Sequence, residues 1–438
     1  MTEVIAKRLG PIQLTPGYSR LNGVTFIYAA FVTIGLLAFI SFIQAYLLNV
    51  NLKMPPELQG RTVAILGIAN EIVALVLVAP FGALADKIGR RLVYTFGFAW
   101  LAIGFLLYPE ARTLPQLLAC ALFFSVGVAA VGTMLATVLA DTPLENSRGK
   151  LVGITGLFQG LGVMIAVLGL GKVPELLAAG GMDDQRAGQI TLWIAAGIAA
   201  LSALAVFIGL KKGSPRRDGG AATSLAFILR EGLTAARSNP RIWFAYMLQF
   251  VSFGDRIVIG TFLSLRLQQT ALEHGMSMAA ATGAASRVFG MVSGAALIGA
   301  LIFGVLLDRL DRLKTGVFAM ALGATAYFAG GFIDDPTAMK IVAPVCLLLG
   351  FGQVSAIIAS QTMLGQEAPI SCRGAVFGLA GICASAGILF TNGAGGWLYD
   401  QVSKGGPFFL MAGASFGIML FGLWLLRRAP VTAPAVSQ

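Results

Sequence analysis

Followed from its first residue to its last, the chain is a succession of apolar runs separated by short polar breaks. The runs cover 21–52, 62–85, 92–109, 113–140, 151–171 and 187–210, then 242–265, 288–307, 315–333, 341–366, 374–399 and 405–426. A helix needs about 20 apolar residues to cross a bilayer. With no water beside it, a spanning backbone must satisfy its polar groups within the helix. Each run is therefore expected to be a spanning helix. The expected fold is an all-α polytopic membrane protein, twelve transmembrane helices in two six-helix pseudo-symmetric bundles, residues 1–210 and 242–438. The break at 211–241 begins KKGSPRRDGG, a flexible basic linker, and continues in an amphipathic stretch, SLAFILREGLTAAR. No other gap could hold a soluble domain.

Composition agrees. The 438 residues are 57% hydrophobic and 12% charged, with mean hydropathy +0.82, against about 25% charged in soluble proteins. That excludes a soluble enzyme, a fibrous protein, a disordered chain and a disulfide scaffold. Cys120, Cys346, Cys372 and Cys383 lie in or beside apolar runs without metal-like spacing, so buried packing is expected. His274 stands alone as the one histidine and cannot build a metal site by itself. No cofactor is implied. The first apolar run, about 30 residues long, exceeds a cleavable signal's core.

The net charge of +11 points away from nucleic acid, because the basic residues sit in short loops between spans. With both termini on one side, that side's loops carry 21 Lys and Arg against 9 opposite. The excess marks the cytoplasmic side, which places both termini and the linker there, with the chain in the inner membrane.

Two loops repeat. FGALADKIGRR from Phe81 and FGVLLDRLDRL from Phe303 share F-G-x-L-x-D-[KR]-[IL]-x-R at an offset of 222; LADTPLENSRGKLVGITG from Leu139 and LGQEAPISCRGAVFGLAG from Leu364 match at an offset of 225. This is a parallel duplication, common in transporters that rock one half against the other. Glycines recur on spans five, eight and eleven: Gly153, Gly156, Gly160 and Gly162; Gly290, Gly294 and Gly299; Gly374, Gly378 and Gly381. They read as packing and bending surfaces.

These loops resemble those of the major facilitator superfamily, whose signature G-x-x-x-D-x-x-G-R-R stands here as Gly82, Asp86, Gly89, Arg90 and Arg91. In the second copy Asp308 and Arg312 match, while Asp311 replaces the second glycine. The resemblance implies a conformational latch on the cytoplasmic side, formed by those residues with Arg148 and Arg373 of the other repeated loop. It also implies that spans one, four, seven and ten line a solute cavity. Tyr28, Gln44, Tyr246, Gln249, Gln353 and Gln361 are then candidate contacts for a small, amphipathic organic solute. Drug/proton antiporters of the superfamily carry an Arg in span four where Phe123 stands, and a Gly-Pro motif in span five that 151–171 lacks. Any proton coupling here must use other residues.

Glu71, Asp255 and Arg256 lie deep within spans. At 1.5 Å per residue, Glu71 is roughly 14 Å from Thr62 and 22 Å from Asp86. A charge at the bilayer centre is unfavourable by at least about 2.5–3.5 kcal/mol, so such residues face the bundle interior and mark function. Glu71 and Asp255 are the candidate proton-coupling carboxylates, since a group whose access to water alternates can load and release a proton. A static ion pair with Arg256 is the competing reading, and Arg256 could instead bind an anionic solute. The expected protein is not an enzyme. It is a monomeric secondary transporter moving a small organic solute by alternating access, with proton-coupled export favoured. Uptake of an organic-acid-like metabolite is the first alternative, and a non-transporting membrane scaffold is the alternative of another class.

Overall fold

A computed structural model describes residues 8–213, 225–309, 311–333 and 335–428. Apart from a short hairpin, β1 (Arg8–Leu9) with β2 (Ile12–Gln13), the regular structure is helical. The first six runs form α1 (Arg20–Val50), α2 (Pro56–Ile88), α3 (Arg90–Leu107), α4 (Leu114–Asp141), α5 (Arg148–Ala179) and α6 (Asp184–Gly209). The amphipathic stretch of the linker forms α7 (Leu225–Ser238). The seventh run is α8 (Pro240–Ile257), a π-helical turn at Val258–Leu263, and α9 (Ser264–Glu273). Then come α10 (Met278–Arg309), α11 (Arg312–Gly330), α12 (Met339–Glu367), α13 (Arg373–Gln401) and α14 (Gly406–Arg428).

Among the described residues, eleven helices are long and apolar enough to cross a membrane, the seventh run counting as one. The ninth run forms α11, 19 residues long. Lys314 and its many small residues dilute its hydropathy below that of the other eleven.

The chain divides into two compact units: Met1–Gly220 with Gly260–Gly294 and Asp334–Thr337, and Ala221–Ile259 with Ala295–Ile333 and Ala338–Gln438. The duplication is visible inside each. In the first, a Cβ on Gly162 of α5 would land on the Phe31 carbonyl oxygen of α1; in the second, a Cβ on Gly387 of α13 would land on the Phe250 carbonyl of α8. Gly162 and Gly387 stand 225 residues apart, the offset of the second loop repeat. Helices in lipid approach this closely only over small residues. Gly290 packs on Leu168, Gly299 on Phe351 and Gly378 on Ile228, but Gly153, Gly156, Gly374 and Gly381 have open space where a Cβ would go. Those four are not packing positions in this conformation.

The N-terminal residues form a strap over the first unit. Leu14 bridges Pro143, the Leu144 amide donates to the Gln13 carbonyl, and the Gln13 amide donates to Ser147 Oγ. Buried Ile12 and Leu14 anchor it.

Candidate functional site

The signature loop is built on one residue. Gly89, with φ +99°, ends α2 and caps the start of α3, a backbone region that L side chains rarely enter. The reversal brings Asp86 and Arg90 together at 2.5 Å, and Arg90 Nε reaches Asp141 at the end of α4 at 3.1 Å. Arg90 is buried and its charge is met by two carboxylates, Asp141 largely withdrawn from water and Asp86 open to it, and three helix ends are fixed to one another. Arg91 lies over the Phe207 ring at 4.6 Å and donates to the Phe207 carbonyl near the end of α6. Gly82 has open space beside it.

The other repeated loop makes one hydrogen bond twice. Arg148 donates to the Ala140 carbonyl and Arg373 to the Gly365 carbonyl, each eight residues upstream. Arg148 also pairs with Glu145 at 2.9 Å on the surface. The charge cluster is not duplicated. Gln366 stands where the 225-residue offset would place a second Asp141, and the neighbouring Glu367 is held by Asn239 and Arg241. Arg312 Nε is buried without a hydrogen-bond partner among the described residues; the Asp308 side chain lies outside them.

The two adjacent charges of span seven meet different surroundings. Asp255 is 1% exposed and faces the Tyr327 hydroxyl of α11; its Oδ1 lacks a hydrogen-bond partner among the described residues. Thr391 of α13 and Met411 of α14 pack against the preceding Gly254. Arg256 is exposed, its guanidinium 4.3 Å from the Phe253 ring centroid. Two residues later the helix widens into the π-helical turn, an interruption often found at functional positions in helices. Glu71 is half-buried on α2, next to Asn70, which accepts from Ser125 at 2.5 Å.

The candidate cavity residues divide. Tyr246 is buried and donates to the Gly232 carbonyl, pinning α7. Gln249 is 8% exposed and accepts from Ser360 at 2.9 Å. Tyr28 is hydrogen-bonded with Ser202. Gln44 is buried, Gln353 half-buried and Gln361 exposed.

A second set of amides escaped the sequence reading. In the first unit Gln269 donates to Gln59 at 2.9 Å, and Gln59 donates to Asn49 at 3.0 Å. Gln268 donates to Ser264, which donates to the Phe42 carbonyl, while Thr282 donates to Gln268. Nearby, Arg287 pairs with Glu175 at 3.2 Å across Gly283, where a Cβ would collide with that carboxylate. The signal was present as a run of polar residues, Ser264 to Thr270, at what looked like the end of a span. Among the described residues no group of three His, Cys, Asp or Glu could hold a metal.

The sequence profile of the Major Facilitator Superfamily matches residues 25–391 and 298–438. The chain is 25% identical over 394 residues to the magnetosome protein MamH of Paramagnetospirillum magneticum, with 88% of each covered. It is 24% identical over 398 residues to MamZ of the same organism, covering 88% of this chain and 60% of MamZ, so it spans less than two thirds of that relative. Among solved structures, the nucleoside transporter NupG has a TM-score of 0.67 at 14% identity, covering 93% of this chain and 100% of NupG.

Proposed function

The chain belongs to the major facilitator superfamily, as a membrane transporter and not an enzyme, and on that premise we propose that it exports a small organic solute across the inner membrane by alternating access, coupled to protons. Both termini then lie in the cytoplasm, on the side with the Lys and Arg excess.

The observation that carries this reading is the Asp255 environment. A carboxylate withdrawn from water, one oxygen lacking a hydrogen bond, stands on a spanning helix beside a tyrosine hydroxyl and immediately before a π-helical turn. A scaffold gains nothing from so unfavourable a charge. A transporter gains a group that exchanges a proton when access to it changes. The polar ties inside the first unit support the alternating-access part. The Gln59–Gln269 and Glu175–Arg287 contacts join segments from both halves of the sequence, and a hydrogen bond of about 0.5–1.5 kcal/mol and a partly exposed ion pair of about 0–1 kcal/mol suit contacts that must form and break.

Purified protein in liposomes loaded with a pH-sensitive dye tests the proposal. A panel of organic cations, neutral amphiphiles and organic acids is added with and without a pH gradient. Proton movement driven by a cation or neutral amphiphile supports it. Arg256 supports a second reading, because an exposed guanidinium stacked on Phe253 suits an anionic solute taken up by symport or facilitated passage; movement of the acids alone would establish that reading. Movement of nothing in the panel would favour the scaffold.

A further inference from the structure

The first unit carries a concavity away from every residue assigned to solute or proton. It is lined by Tyr18, Arg90, Val138, Leu210, Lys211, Lys212 and Gly213, with about 420 Å³ of space counting its open mouth. It lies where the N-terminal strap, the start of α3 and the chain leaving α6 meet.

Its charge is set by two lysines. Arg90 is already matched by Asp86 and Asp141. Lys211 and Lys212 are exposed and have no carboxylate partner among the described residues. Lys211 is nonetheless held in place. Its Nζ lies 4.4 Å from the centre of the Tyr18 ring and 3.0 Å from where a Cβ on Gly17 would be. The Tyr18 amide donates to the Thr15 carbonyl, closing a turn through Pro16 and Gly17, and Gly17 has φ +85°, the conformation a glycine at the third position of a type II turn supplies. A side chain there would be strained and would crowd the ammonium from its place over the Tyr18 ring.

Further donors converge. Burial, reinforced by repulsion from Asp141, pushes the Tyr18 hydroxyl up to about 12, so it remains a proton donor at neutral pH. α3 begins on Gly89, which offers its first amides no side-chain cap. A held ammonium, a second exposed lysine beside it and a neutral hydroxyl donor, in a concavity that admits a tetrahedral oxyanion, define the complementary ligand.

We propose that this pocket binds a phosphate group through Lys211, Lys212 and Tyr18. At the end of a spanning helix such a group is presented by the headgroup of an anionic phospholipid; inorganic phosphate or a soluble phosphate ester would satisfy the same donors. The site is independent of the solute carried and of proton coupling.

Detergent-purified full-length protein is titrated with dioctanoyl phosphatidylglycerol, dioctanoyl phosphatidylcholine and inorganic phosphate, with binding read by calorimetry. The expected result is preferential binding of phosphatidylglycerol that weakens about tenfold or more in Lys211→Gln/Lys212→Gln. Gly17→Ala should weaken it in the same direction, and Lys340→Gln should leave it unchanged. Binding of inorganic phosphate with that lysine dependence, and no preference for phosphatidylglycerol, assigns the site to soluble phosphate. Equal binding to wild type and the double variant overturns the proposal, as does the absence of any anion preference in wild type.

Discussion

The two copies of the repeated loops make an instructive comparison. Each keeps an arginine that ties its loop to a carbonyl eight residues upstream, Arg148 in the first and Arg373 in the second. Each unit also keeps a glycine crossing, Gly162 over Phe31 and Gly387 over Phe250. These are backbone devices, and both copies need them to hold the same crossings and turns. The charges diverged. Arg90 is clamped by Asp86 and Asp141, whereas Arg312 has no counterpart of Asp141, whose place is taken by the exposed Gln366. At the first loop two carboxylates close on one arginine; at the second the sequence lacks the acid that would complete the same cluster.

The largest effect should come from breaking the clamp. Arg90→Ala leaves Asp141, 12% exposed, without its charged partner, and removing one member of a buried pair is unfavourable by up to about 3–5 kcal/mol; Asp86 is open to solvent and adds little. A fall in thermal unfolding temperature well beyond that of Arg312→Ala is expected, and equal falls would erase the contrast. Gln366→Asp should move the other way. If the second loop lacks only the acid, this substitution stabilises the protein by about 1 kcal/mol, and Arg312→Ala introduced with it should abolish the gain. Arg148→Ala and Arg373→Ala should have the smallest effects and resemble each other, about 0.5–1.5 kcal/mol each for a partly exposed hydrogen bond. Unequal losses would show that the two copies diverged in backbone as well as in charge.

The apolar runs announced the helices because twenty consecutive apolar residues leave the backbone no alternative in lipid. Their ends were harder to read. The seventh run was expected to stop at 265, yet its helix continues to Glu273, because buried Gln268 and Gln269 find hydrogen-bond partners in other helices. The eighth helix likewise begins at Met278, ten residues before its run. The Val258–Leu263 π-helical turn left no trace, lying inside an unbroken apolar stretch. Asp255 and Arg256 stood out as charges, but their surroundings did not: Asp255 faces Tyr327 on a helix 72 residues further along the chain, while Arg256 folds back over Phe253, one turn earlier on its own helix. The Tyr246 hydroxyl bond to Gly232 of α7 was likewise not legible in the apolar pattern of its run. The strap that pairs Gln13 with Leu144 belongs to the same class, a pairing across more than 100 residues with no local pattern to betray it.

The most direct test is to separate solute movement from proton movement in one variant. Once the liposome panel has supplied a solute, Asp255→Asn is assayed beside wild type for solute-for-solute exchange and for proton flux driven by that solute. If Asp255 carries the coupled proton, the variant keeps exchange close to the wild-type rate and moves no protons. Proton flux in the variant equal to that of wild type would contradict that role and make Asp255 a structural residue of the second unit.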